Sequence, residues 1–320
     1  MALSAWDNPM FDATGLGRFW KGPASGGDGA EGVSHRAIPR HIHGYYESHQ
    51  PRTQQQIKYF PYKKEMTVDG VQVPTIMDII YMYYFPRELT DDERIRYVSL
   101  KTERNEEDVA EELFQMRRLK LFAAQSLRNK VSGKPFRMPD GADFSARERS
   151  YLLGSARAAQ VFGINFFTNH SFQPTIIYSP NYNIGDCVDC IFEKCMRLSL
   201  QYVMVDVVTH KSIPRVRLPT VKGESRYPLE VVEPCLYEAL RLRLAIIAIL
   251  AKKEHYVVDH EFDTNHKYSG SIVHLSPVLD SPTEIDASCY VEDLDLELGQ
   301  KVLDHYYRNY VLPRRDQCPT

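Results

Sequence analysis

NEEDVAEELFQMRRLKLFAAQSLRNKVSG, residues 105–133, carries the clearest periodic pattern in the chain. Its apolar side chains recur three and four positions apart, the spacing that places them on one face of an α-helix. Acidic residues open the stretch and Arg128 and Lys130 lie near its end, so both groups complement the helix dipole. Gly133 follows as a typical helix terminator. The stretch therefore predicts one long amphipathic helix.

Similar patterns on either side predict further helices. Thr90 with Glu93, and Ser145 with Glu148, have the spacing of capping boxes that open a helix. The other predicted helices cover residues 74–86, 145–163, 186–211, 233–256 and 288–312. TIIY, residues 175–178, is the only short strand that the pattern favours in an otherwise aromatic loop.

The N-terminal part of the chain differs in composition from the rest. GPASGGDGAEG, residues 22–32, has the composition of a flexible linker. Residues 35–65 contain three prolines and show neither the helical nor the strand period, which favours extended backbone. We therefore predict a mainly α fold: an extended arm over residues 1–72, a body of six or seven helices over 73–312 with a few short strands at most, and a short tail over 313–320.

Composition bounds the class of protein. The chain has 320 residues, 43% of them hydrophobic, so it can bury a sizeable core. The net charge of -3 argues mildly against wholesale binding to nucleic acid. Six sparse cysteines do not form the framework of a small secreted domain, and the N-terminus lacks a secretory signal pattern. We expect a reducing intracellular compartment, with the mitochondrion as one option, and no transmembrane segment.

Two groups of residues have side chains that bind metals. Cys187 and Cys190 form a C-x2-C pair, half of many zinc sites, but on a helix Cys195 would point away from Cys190. His260 and His266 lie among acidic residues, with a spacing that matches no metal motif. The alternative to metal binding is that the cysteines pack in the core and that the histidines are solvated. Because no nucleophile motif and no phosphate-binding loop is present either, we predict no catalytic residue, metal or cofactor.

Aromatic side chains in the arm are predicted to bind partners. Glycine and proline prevent them from packing on one another through a shared helix, so each needs a groove on this chain or on another. Wrapping around the chain's own body is the alternative to contact with a neighbour. The predicted partner-binding residues are Trp6, Phe11, Phe19, Trp20, Tyr45, Tyr46, Tyr59, Phe60 and Tyr62.

Residues 35–65 also favour a second interpretation. They contain six basic and two acidic residues, and aromatic side chains lie between the basic ones. Because basic groups neutralise phosphates and aromatic rings stack on unpaired bases, RNA is an alternative partner.

These features favour a non-catalytic accessory subunit that docks into a large multiprotein assembly, for example a mitochondrial respiratory or ATP synthase complex. An RNA-associated subunit of a ribosome-like particle and a minor or cementing protein of a virus particle are the alternatives. An enzyme or zinc protein that uses Asp259, His260 and His266, or the three clustered cysteines, is a further reading.

Overall fold

A computed structural model gives the structure of the chain. It describes residues 45–61, 63–83, 91–131, 145–158, 166–168, 174–195, 200–209, 213, 227–230, 232–233, 235–257, 267–278, 281 and 284–313. Residues 1–44, which form most of the predicted arm, and residues 314–320 of the predicted tail lie outside this description.

The described residues form both helices and strands. The helices are α1 (Ile76–Tyr83), α2 (Asp91–Thr102), α3 (Glu106–Val131), α4 (Ala146–Ala158), α5 (Leu236–Lys253) and α6 (Leu296–Tyr306), which continues into a π-helical turn (Tyr307–Val311). The strands are β1 (Tyr46–His49), β2 (Gln56–Phe60), β3 (Glu65–Val68), β4 (Val71–Val73), β5 (Phe166–Thr168), β6 (Thr175–Ser179), β7 (Ile184–Val188), β8 (Cys190–Cys195), β9 (Leu200–Val208), β10 (Lys267–Pro277) and β11 (Ile285–Asp293).

A mixed sheet of five strands, in the order β11-β10-β9-β8-β5, forms the centre of the fold. β9 and β10 run parallel, and the chain between them includes α5. The other neighbours in this sheet are antiparallel. Parallel neighbours need a long crossover connection, and helix α5 supplies the regular part of it here.

Helices cover both faces of this sheet. α3 and α4 pack on one face, where their apolar side chains meet Val203, Val205 and Val207 of β9. α5 packs on the other face, together with α1 and α6. α5 is buried along nearly its whole length, as expected for a helix that is apolar almost all round.

The prediction of a mainly α fold is wrong, because the chain is an α/β mixture. The largest error concerns residues 186–211, predicted as one helix, where the structure has the end of β7 and all of β8 and β9. β9 contains four valines, and β-branched residues favour strands. Because its described side chains on both faces are mostly buried, it shows no alternation of apolar and polar residues, and periodicity does not separate such a strand from a buried helix.

The extended arm is also corrected in its last part. Residues 46–73 form an antiparallel sheet of four strands in the order β1-β2-β3-β4, which we call the meander. Its inner face carries Tyr46, Ile57 and Met66, which pack against Ile176 and Tyr178 of the β6-β7 hairpin. The meander is therefore part of the folded body.

The predicted C-terminal helix over residues 288–312 is wrong at its beginning. Strand β11 occupies residues up to Asp293, and α6 begins only after Asp295, whose carboxylate accepts a hydrogen bond from the Leu298 amide at 2.9 Å. The apolar spacing that predicted one helix thus spans a strand, a cap and a helix.

Other predictions are confirmed. The stretch that opened the sequence forms α3, and the TIIY strand is β6. The capping box of α4 is present, since the Ser145 amide donates to the Glu148 carboxylate at 2.8 Å and the Glu148 amide to the Ser145 hydroxyl at 3.2 Å. Thr90 lies outside the described residues.

Within the described ranges, none of the helices is long and apolar enough to cross a membrane.

Candidate functional site

A group of buried and half-buried charged side chains meets where β7 ends and β8 begins. Asp189 connects these two strands, which belong to different sheets, so this point joins the β6-β7 hairpin to the central sheet. We call the group of charged side chains here the charged junction. Its members are Asp186, Asp189, Asp206, Lys120, Arg128 and Arg243.

Arg243 of α5 holds two strands together. Its Nε donates to Asp186 Oδ2 at 2.9 Å and its Nη2 donates to Asp186 Oδ1 at 3.0 Å, which is a bidentate contact. Nη1 donates to Asp206 Oδ2 on β9, and Nη2 also donates to the carbonyl oxygen of Cys187. All three charged side chains are less than 10% exposed, at 8% for Arg243 and 3% for each aspartate.

Asp189 ties the junction to α3. Its Oδ2 accepts a hydrogen bond from the Val207 amide at 2.9 Å and lies 3.6 Å from Lys120 Nζ. Arg128 Nη1 donates to the Asp189 carbonyl oxygen at 2.8 Å. Burial raises the pKa of Asp189 even though the Lys120 ammonium opposes that shift. For Lys120, burial acts to lower the pKa, but the carboxylates of Asp189 and Asp206 more than offset it, so its pKa is raised.

Two tyrosines of the meander cover the junction. Tyr46 and Tyr59 are cross-strand partners in β1 and β2. Burial raises the pKa of both phenols; the carboxylate of Asp186 adds to the shift for Tyr59 and the guanidinium of Arg128 reduces it for Tyr46. Both hydroxyls therefore stay protonated at neutral pH.

The thiols at the junction are protonated as well. Burial raises the pKa of Cys190 to about 12 and holds that of Cys187 well above its usual value, with the nearby aspartates adding to both shifts. A thiol acts as a nucleophile or metal ligand in its thiolate form, so these environments make both cysteines unreactive.

The junction contains three carboxylates and three basic groups, so its charges balance. Among the described residues, Asp206 Oδ1 is the one carboxylate oxygen of the junction that is buried without a hydrogen-bond partner. The charged junction as a whole connects strands from two sheets to helices on both faces of the central sheet.

The predicted partner-binding residues lie in several environments. Tyr45 is 44% exposed, Tyr46 is buried, and Tyr59 and Phe60 are half-buried. Tyr46 on β1 lies opposite Tyr59 on β2, and Tyr45, which precedes β1, packs against Phe60 with ring centroids 5.6 Å apart. Trp6, Phe11, Phe19, Trp20 and Tyr62 lie outside the described residues.

The bases that favoured RNA are only partly described. Lys58 lies over the Tyr45 ring, 4.6 Å from its centroid, and directly opposite Glu47 on the neighbouring strand. At this position, the outer face of the meander therefore places an acidic side chain opposite a basic one.

The two cysteine candidates for a metal site lie on different strands. Cys187 is on β7 and Cys190 begins β8, in different sheets, and both are buried; the helical geometry assumed for them is therefore wrong. His260, His266 and Asp259 lie outside the described residues. Among the residues that are described, no three His, Cys, Asp or Glu side chains are grouped so as to hold a metal ion.

The sequence analysis did not predict the charged junction, although two of its residues interrupt apolar runs in the sequence. Asp206 interrupts the apolar run YVMVDVV and Arg243 interrupts LRLRLAII. A charged residue inside a buried run needs a partner of opposite sign, so these two predict each other. Asp189 and Lys120 left no such signal, because their contact depends on how α3 lies on the sheet.

Compared with known proteins, the chain matches no family model and no curated protein sequence.

Proposed function

We propose that this chain is a non-catalytic structural subunit of a large multiprotein assembly, anchored to neighbouring chains by the part of its arm that precedes the meander. The observation that carries the proposal is the internal pairing of the charged junction. The charged side chains of the junction bind one another and so join strands to helices, and the neighbouring thiols and phenols stay protonated.

The meander supports the anchoring role. Its buried inner face fixes β1 to the body, while Tyr45, immediately before β1, is 44% exposed. Residues 1–44 therefore connect to a firmly packed base, and they contain both tryptophans of the chain. Because tryptophan is a preferred hot-spot residue, an arm on such a base is suited to hold neighbouring subunits.

The experiment compares three forms purified from the source through a C-terminal tag: the full chain, a form lacking residues 2–44, and a control in which residues 22–32 are shuffled. The control keeps length and composition. Native-gel migration and mass spectrometry report which form is bound in an assembly.

The expected result is that the full chain and the shuffled control migrate in the assembly, with or without nuclease, and that the truncated form migrates alone while keeping its circular dichroism spectrum. Migration of all forms as a free monomer would contradict the proposal. Loss of the assembly on nuclease treatment would favour the RNA-associated alternative.

A further inference from the structure

Strand β11 ends the central sheet with an outer edge nine residues long. On its inner side it pairs with β10 over its whole length, from Ile285 opposite Pro277 to Asp293 opposite Ser269. In the described part of the chain, no strand pairs with its outer side. An edge of this length presents a row of backbone donors and acceptors to any extended segment that approaches it.

The ladder fixes which amides point outward. The Val278 amide donates to the Glu284 carbonyl oxygen at 3.0 Å, one step beyond the end of the β10-β11 register. In an antiparallel pair, hydrogen-bonded and non-hydrogen-bonded positions alternate. Counting along β11, the backbone groups of Ala287, Cys289 and Val291 therefore face away from β10, while those of Ser288 face it.

One side of this edge is apolar. Ile285, Ala287 and Cys289 pack as half-buried side chains against the cluster under α3 and α4, and Val291 shares their side by the alternation of the strand. Val291 is nevertheless 58% exposed, and so is Leu153 of α4 at 59%. α4 lies on the other end of β11, since a Cβ at Gly154 would sit 3.5 Å from Ile285 Cγ2. An added strand would cover apolar surface that is now open.

The other side of the edge is acidic. Asp286 and Glu292 flank Ser288 and Tyr290 there. Glu292 accepts a hydrogen bond from the Tyr237 hydroxyl and lies near the Arg241 guanidinium, so Asp286 is the exposed acidic group on this side. Two copies of β11 pairing antiparallel about Cys289 would place Asp286 against Glu292. Like charges directly opposite are destabilising, so this register disfavours a second copy, and the exposed carboxylate of Asp286 favours a basic partner.

We infer that the edge of β11 binds an extended strand of another protein chain in which apolar residues alternate with lysine or arginine. An apolar residue of that strand packs beside Val291, and a basic residue faces Asp286. Main-chain hydrogen bonds supply affinity, and side-chain contacts on the apolar and acidic sides of β11 supply specificity, as in other cases of strand addition. The inference rests on the proposed function, because it names the kind of neighbour that this subunit binds.

The test measures binding of two labelled peptides to the full chain by fluorescence anisotropy, one alternating valine with lysine and the other valine with glutamate. The lysine peptide is expected to bind at least about tenfold more tightly, because like charges across an interface are penalised.

Variants at the edge separate backbone from side-chain effects. Val291→Pro removes an outward amide, adds a ring at the contact and is expected to weaken the lysine peptide about tenfold. Val291→Thr keeps the amide and is the matched control, with affinity expected within about threefold. Asp286→Lys should weaken the lysine peptide and strengthen the glutamate peptide, a reversal that remains measurable if Val291→Pro does not fold.

Equal binding of both peptides, no binding of either, or unchanged binding by Val291→Pro would overturn the inference. So would dimers of the free chain that Val291→Pro dissociates, or peptide binding that appears only after residues 2–44 are removed, because a second copy or the chain's own arm would then occupy the edge. The peptide measurements use the isolated chain and not the assembly. A failure of this inference can therefore be distinguished from a failure of the proposed function, which the truncation experiment tests.

Discussion

The charged junction and the edge of β11 lie in the same fold and treat polar groups in opposite ways. At the junction, three carboxylates and three basic groups are mostly paired within the chain. At the edge, a row of backbone groups faces away from β10, with acidic side chains on one side and exposed Val291 on the other. The first arrangement joins strands and helices of the folded chain, and the second is the edge that we propose another chain binds.

The largest expected effect is at the junction. Arg243→Ala leaves the buried carboxylates of Asp186 and Asp206 without their charge partner, which is expected to lower the free energy of unfolding by about 3–5 kcal/mol. Arg241→Ala on the same helix is the matched control, because Arg241 is partly exposed and pairs with Glu238 one turn away. Its effect should stay within about 1 kcal/mol. Urea unfolding measures both; equal losses would contradict a stabilising role for the junction.

Glycine at 185 tests how closely the meander and the hairpin approach each other beside the junction. A Cβ there would lie 2.4 Å from the Ile177 carbonyl oxygen and 2.5 Å from Met66 Sδ. Gly185→Ala is therefore expected to cost about 1–3 kcal/mol of stability. Gly154→Ala is the control, since its Cβ would meet only ordinary contacts on α4, where alanine is the better helix former. A melting temperature for Gly185→Ala equal to that of the parent chain would contradict this packing.

The raised pKa values of Cys187 and Cys190 predict a loss of stability at alkaline pH. In the unfolded chain these thiols lose their protons near pH ~8.5, whereas the folded chain keeps them bound. The folded state then holds more protons, so the free energy of unfolding falls as pH rises above ~8.5, by up to about 1.4 kcal/mol per pH unit for each thiol. Urea unfolding at about pH 8 and about pH 9.5 measures it, below the titration of the tyrosines.

Cys190→Ala is the control for this pH dependence. It removes one of the two thiols at the junction and should reduce the loss of stability between the two pH values. A loss that is unchanged in this variant would show that other groups carry it.

The smallest expected effect on stability is at the edge. Val291→Pro removes an amide that faces away from β10, so the free energy of unfolding should change by no more than about 1 kcal/mol. Ser288→Pro removes an amide that faces β10 and should cost more, because proline interrupts a paired ladder. Equal costs for the two variants would mean that the outward row of amides is assigned to the wrong residues.

The helices with one buried face and the TIIY strand could be predicted from the sequence, and the buried strands β8 and β9 could not. α3 shows its period because solvent contacts the other face, and the capping box of α4 is a local pattern. β9 lies between helices on both faces of the sheet, and this removes the alternation that would have marked it. The exposed residues of β11, Asp286, Val291 and Asp293, do not alternate regularly, and the strand's helix-like apolar spacing continues into α6 and hid the boundary at Asp295.

In the candidate site, too, local sequence patterns could be predicted and contacts that depend on packing could not. Asp206 and Arg243 were predictable as a pair because each interrupts a buried apolar run, while Lys120 reaches Asp189 only through the packing of α3 on the sheet. The meander was missed because β1 to β4 are only three to five residues long, too short to show a period among prolines and polar turns.

Amide hydrogen exchange along β11, measured residue by residue in the free chain and in the native assembly, tests the link between fold and function most directly. We predict that the amides of Ala287, Cys289 and Val291 exchange rapidly in the free chain and become protected in the assembly, while Ser288 is protected in both. Rapid exchange of the three outward amides in the assembly, or their protection already in the free chain, would contradict the role of this edge as the docking strand.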